Sequence, residues 1–151
     1  MTSITGITKL FGVVALTLTC GARAQSIEVK DAWIRGTVPA QRGTGAFMEI
    51  TGKSAVRLIG AASPVAGTVE IHNRTMTNGV MKMFAVDGID VAAGKTIKLA
   101  PGGYHVMMMD LKAALPKGST VPLTLVFKDA KGVESKMELK LPVSAVAPTA
   151  P

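Results

Sequence analysis

The chain predicts an all-β sandwich built as a single domain. Short apolar or alternating runs recur at close spacing, turn-forming residues separate them, and no segment longer than a turn keeps a helical period. A length of 151 residues supplies one hydrophobic core and leaves little room for a second.

The strands follow in order. The expected spans are 27–35, 45–51, 56–63, 67–73, 80–86, 95–99, 104–111, 121–128 and 133–141. Each gap carries residues that favour turns: Pro39, Gly52, Pro64, Asn78-Gly79, Asp87-Gly88, Gly94, Pro101-Gly102-Gly103, Pro116, and Asp129 with Gly132. The last two strands alternate most cleanly. Val121, Leu123, Leu125 and Phe127 share one face; Val133, Met137, Leu139 and Leu141 line another, with Glu134, Lys136, Glu138 and Lys140 opposite. Period two with one wet face suits an antiparallel sheet packed on one side. Residues 110–114 are the one place where a single helical turn is expected.

Residues 1–24 read as a secretory signal peptide. Lys9 provides the positive start, residues 10–19 an apolar run too short to span a bilayer, and Ala22-Arg23-Ala24 a cleavage site that places the mature chain in the periplasm. A lipid anchor on Cys20 fits less well, because Thr17 stands where that signal needs leucine and Thr19 where it needs a small residue. The domain then occupies 25–142, and 143–151 is a Pro/Ala tail expected to fray. Cleavage after Ala24 removes the only cysteine, and loss of Lys9 and Arg23 takes the formal charge from +7 to +5.

Several functions are excluded on composition. The basic residues are dispersed rather than blocked, and aromatics are 4% of the chain, so a nucleic-acid platform is poorly supplied. No G-x-S-x-G elbow, no P-loop and no paired carboxylates support enzymatic catalysis. With no thiol after cleavage, disulfides, cysteine zinc sites and blue-copper chemistry are all closed.

Histidine and methionine remain. His72 falls at the end of one expected strand, and Met83 lies on the next, beyond an Asn78-Gly79 turn able to reverse the chain. His105 lies in a later strand with Met107 two residues on, where side chains share a face. Two imidazoles and two thioethers, with no carboxylate or thiolate, form a soft and neutral ligand set that favours Cu(I) over hard divalent ions. Met48, Met108 and Met137 are expected to fill the core. Met76 and Met81 are expected to shield apolar surface near the site, with auxiliary ligation as the alternative. Trp33 is expected to pack, and Tyr104 either packs or screens the metal.

The spacing His72-x10-Met83-x21-His105-x-Met107 resembles the signature of the periplasmic Cu(I) chaperones of the PCu(A)C family. The segments 29–35, 45–48, 69–72 and 101–109 resemble that family as well. The resemblance implies a cupredoxin-like Greek-key β-sandwich that holds one Cu(I) per chain through His72, Met83, His105 and Met107. It implies delivery of copper to the CuA-bearing subunit of cytochrome c oxidase, sometimes alongside a Sco-type thiol protein. The tail lacks histidine and methionine, so the second copper site carried by some relatives is not expected. A monomer is expected. The rival readings are a copper-buffering or resistance protein without a dedicated client, and a β-sandwich protein-interaction module.

Overall fold

The period-two patterning becomes ten strands in the computed structural model, which describes residues 27–148. In chain order these are β1 (Ile27–Arg35), β2 (Gly43–Gly52), β3 (Val56–Ala62), β4 (Ala66–Thr77), β5 (Val80–Ala85), β6 (Ile89–Val91), β7 (Thr96–Leu99), β8 (His105–Leu111), β9 (Thr120–Asp129) and β10 (Glu134–Ser144). The hydrogen-bonded order is β5-β4-β8-β2-β1-β10-β9-β3-β6, with β7 also paired to β2. The path folds into two layers, joined where Ile34 of β1 pairs in parallel with Val143 of β10.

The layers meet through their apolar faces. Ile34, Met48, Ile50, Val106 and Met108 pack with Leu58, Leu123, Leu125, Phe127 and Leu141 in one buried cluster. Met48 and Met108 are core residues, and Met137 packs against the cluster from its edge, as methionine's adaptable side chain suits.

Two features of this fold position the candidate site. One edge of β2 is shared: residues 43–46 pair with β8, whereas Met48 to Thr51 pair with β7. The turn 101–103 between β7 and β8 therefore stands beside Phe47, and His105 opens β8 at that junction. The second feature is the β4–β5 hairpin. Asn78 (φ 52°) and Gly79 (φ 72°) both adopt left-handed backbone, the conformation a two-residue turn needs to match strand twist. The hairpin closes at Thr77 and Val80 and projects so far that every residue of β5 is exposed.

Several expectations shift. β4 continues to Thr77, so His72 lies within its strand rather than at its end, and His105 begins β8 rather than lying inside it. β6 is a short strand absent from the expected set; its three residues give too little alternation to detect, and pairing with Val56, Arg57 and Leu58 creates it. No helix occurs among the described residues, so the turn expected over 110–114 is absent. Leu111 pairs with Ala66, while Asp110 takes left-handed backbone (φ 52°), so the segment leaves the sheet without winding. The start of the expected tail is structured: Val143 is buried and Ser144 ends β10, because β1 offers both a parallel partner. The expected signal peptide lies outside the described residues.

Candidate metal centre

The site lies on the outer face of the β4–β8–β2 sheet. Val106 and Met108 point into the core, so strand alternation turns His105 and Met107 outward. On β4, Ile71 points inward, which turns Glu70, His72 and Arg74 to that same outer face. Register then aligns the pairs: His72 opposite His105, Glu70 opposite Met107, and Arg74 opposite Met83. The imidazole centroids are 5.9 Å apart with their planes at 62°.

Each imidazole has one nitrogen already engaged. Nδ1–H of His105 donates to the Gly103 carbonyl at 3.0 Å, which leaves Nε2 with a free lone pair. His72 is bonded at the other position, with Nε2–H donating to Glu70 Oε2 at 2.8 Å. Its Nδ1 is buried with no partner among the described residues. An orphaned buried nitrogen is costly in an apo fold and is what a neutral imidazole offers a metal, its other nitrogen oriented by a carboxylate. The residues therefore fit a soft cation.

His105, Met107 and Met83 line one cavity of about 210 Å³, with Phe47, Arg35 and Arg74. His72 does not line it and stands beside it, against His105. Met107 and Phe47 lie over two glycines of β2. A Cβ on Gly43 would approach Met107 Cε to 3.2 Å, and one on Gly45 would stand 2.8 Å from Phe47 Cζ. Phe47 also packs on Trp33 at 4.9 Å and lies 6.2 Å from His105, so an aromatic pair adjoins the imidazole. A larger cavity, about 410 Å³ near Arg57 and Asp90 in the other layer, is lined by no histidine or methionine.

Exposure divides the methionines. Met83 is 50% exposed and Met76 67%, whereas Met107 is half-buried. Met76 and Met81 face one another across the hairpin and line a neighbouring cleft rather than the His105 cavity. Tyr104 is 39% exposed, and Trp33 packs as expected. Glu70 could have been found from the sequence, since it stands two residues from His72 on the same face of the expected strand, whereas Arg74 lies beyond that strand's expected end. The Gly103 carbonyl could not, because only the folded turn aims it at His105.

Burial lowers the His105 pKa from its ordinary 6.5; the Gly103 hydrogen bond opposes this, and the His72 and Arg74 charges add to it. The fold thus favours the neutral ring, and the unfolded chain binds the proton more readily. Stability from this group is complete above about pH 6.5 and is lost as pH falls through the lowered value. Metal-free protein should melt at a lower temperature at pH 5 than at pH 7.5, and His105→Gln should narrow that difference. An unchanged difference would assign the effect to other groups.

The chain matches the LpqE-like family over residues 27–143, essentially the whole described domain. It belongs to that family, whose solved relatives are PCuAC domains. This PCuAC chain is 34% identical over 112 residues to Lxx21020 of Leifsonia xyli subsp. xyli, a protein named as a lipoprotein; the match spans 74% of this chain and 68% of that one. The Cu(I) form of DR1885 from Deinococcus radiodurans is 30% identical, with TM-score 0.57 over 83% of each chain. The apo PCuAC domain of PmoF1 gives TM-score 0.63 at 21% identity, covering 80% of this chain and 95% of that domain, a likeness of fold. The fold is the cupredoxin-like Greek-key sandwich of those neighbours.

Proposed function

We propose that this PCuAC chain is an exported Cu(I) metallochaperone that carries one Cu(I) per chain on His72 Nδ1, His105 Nε2 and the thioethers of Met83 and Met107. The observation that carries the reading is the unpartnered, buried Nδ1 of His72, whose ring centroid lies 5.9 Å from that of His105, a second imidazole lining a cavity with Met83 and Met107. The Cu(I) form of DR1885, at 30% identity, supports the choice of metal. Among the described residues no three His, Cys, Asp or Glu side chains gather as a metal site, which agrees with a thioether-containing set.

The ligands differ in what they contribute. His105, buried and fixed by Gly103, anchors the cargo, and His72 is oriented by Glu70. Met83 sits on the projecting hairpin and is half exposed, so an acceptor's soft ligand can displace this thioether first. Release then proceeds by ligand exchange, without catalysis and without a change of copper oxidation state. The recipient is the CuA-bearing subunit of cytochrome c oxidase, with a Sco-type thiol protein assisting, in the periplasm.

Titration of Cu(I) against a chromophoric chelator tests the ligand set. Wild type should withdraw one equivalent, and Met83→Ala and His72→Ala should each withdraw it less tightly. Undiminished one-to-one binding by both variants would remove the assignment. Export by cleavage after Ala24 predicts a mature protein starting at Gln25 by mass spectrometry; the lipoprotein name of Lxx21020 makes a lipidated Cys20 the outcome that would replace it.

A further inference from the structure

We propose that the cleft adjoining the candidate metal cavity is a docking site for an acidic segment of the copper-receiving protein, whose carboxylates engage Arg35 and Arg74. The nature of that partner rests on the chaperone reading; the carboxylate chemistry rests on the cleft itself.

Two cavities share a wall. Arg35, Arg74, Pro101 and Gly102 line both the His105 cavity and an outer cleft of about 340 Å³, to which Met76 and Met81 contribute. Neither arginine has a carboxylate at ion-pair distance among the described residues, whereas Arg42 and Arg57 are paired with Asp110 and Asp90. Arg74 is half-buried, where a charge without a partner is least favourable. Arg35 is held in place, with its guanidinium carbon 5.4 Å from the Phe47 ring centroid and 5.9 Å from that of Trp33. The two ring contacts restrain the guanidinium and leave its N–H donors available for a carboxylate, the partner that guanidinium geometry matches best.

The surroundings favour an acidic protein segment over a bare anion. Met76 and Met81 oppose one another on the hairpin face that carries Arg74, and both are exposed, which gives an apolar pair next to the two cations. An apolar centre with charged neighbours is the composition of a protein-docking surface. No acidic residue lines the outer cleft. Cargo bound at His105 would add one more positive charge nearby, so the field there complements an anionic partner that approaches Met83.

The test uses metal-free protein and three synthetic peptides with the same methionine centre, flanked by glutamate, glutamine or lysine. Binding is followed by calorimetry and by the fluorescence of Trp33, the only tryptophan in the chain. The glutamate peptide should bind saturably, weaken as salt is raised, and bind at least about tenfold more tightly than the glutamine peptide, a discrimination of about 1.4 kcal/mol. Arg35→Gln with Arg74→Gln should abolish that difference. Arg74→Glu, on the hairpin outside the core, should transfer preference to the lysine peptide, and its melting temperature shows that it is folded. Equal binding of glutamate and glutamine peptides, binding of none, or saturation by free citrate at the same concentration would each overturn the proposal. A Cu(I) titration of wild type runs in parallel: failure there removes the chaperone reading and leaves the peptide result to decide the docking site.

Discussion

Replacing His105 with alanine should lower Cu(I) affinity by more than about 100-fold, exceeding the 10–100-fold typical of losing a group that only orients a ligand. Three observations make His105 the anchor. It is 5% exposed, its Nδ1–H is committed to Gly103, and burial keeps its ring neutral and able to donate a lone pair. Glu70→Gln is the comparison within the same site. It retains an acceptor oxygen near His72 Nε2 but removes the carboxylate charge, so its loss should fall within the smaller range. Binding is also readable as stability. A ligand at about 1,000 times its Kd stabilises the fold by about 4 kcal/mol, so Cu(I) should raise the melting temperature of wild type and hardly move that of His105→Ala. Equal affinity in wild type and His105→Ala would exclude this histidine from the ligand set.

Phe127→Ala should be the most damaging single truncation of the core. Phe127 is fully buried on β9, opposite Leu58 of β3, and it is among the largest side chains enclosed between the layers. Truncating a buried phenylalanine typically costs about 3–5 kcal/mol, the lost transfer energy plus the unfilled cavity. That is a large share of the roughly 5–15 kcal/mol that stabilises a domain of ordinary size. Urea unfolding should show a much lower midpoint with a similar slope, and the melting temperature should fall by roughly 10 °C or more. Met137→Ala, at the edge of the same core, should cost much less. A small loss at Phe127 would mean that the two layers collapse to fill the space.

Much of the sheet was legible because one face of most strands is wet. On β9 and β10 the period-two alternation gives strand and facing together, and the buried set Val121, Leu123, Leu125, Phe127 and Leu141 matches it, with Met137 and Leu139 partly buried; Val133, expected on that face, is 60% exposed because it lies in the turn before β10. β6 was not legible, since a three-residue strand is created by its partner. The extension of β4 to Thr77 was hidden too: Arg74, Thr75, Met76 and Thr77 bury little, and they remain strand because the Asn78-Gly79 turn pairs them with β5. The end of β10 was disguised by the Pro/Ala composition that follows it, although Val143 is core.

The site divides along the same line. Sequence alone determined the candidate donor types and their spacing, and therefore the softness of the proposed set, since donor chemistry belongs to the side chain wherever it lies. Strand alternation also determined that His105 and Met107 share a face. Only the tertiary structure decided that β4 lies against β8 with His72 opposite His105, because register depends on pairings between residues more than 30 positions apart. It also decided which nitrogen each imidazole leaves unengaged, through Gly103 and Glu70, and that Arg35 and Arg74 line the cavity with no carboxylate at ion-pair distance among the described residues. Those properties come from backbone direction and burial, which the sequence encodes only through the packing of both layers together.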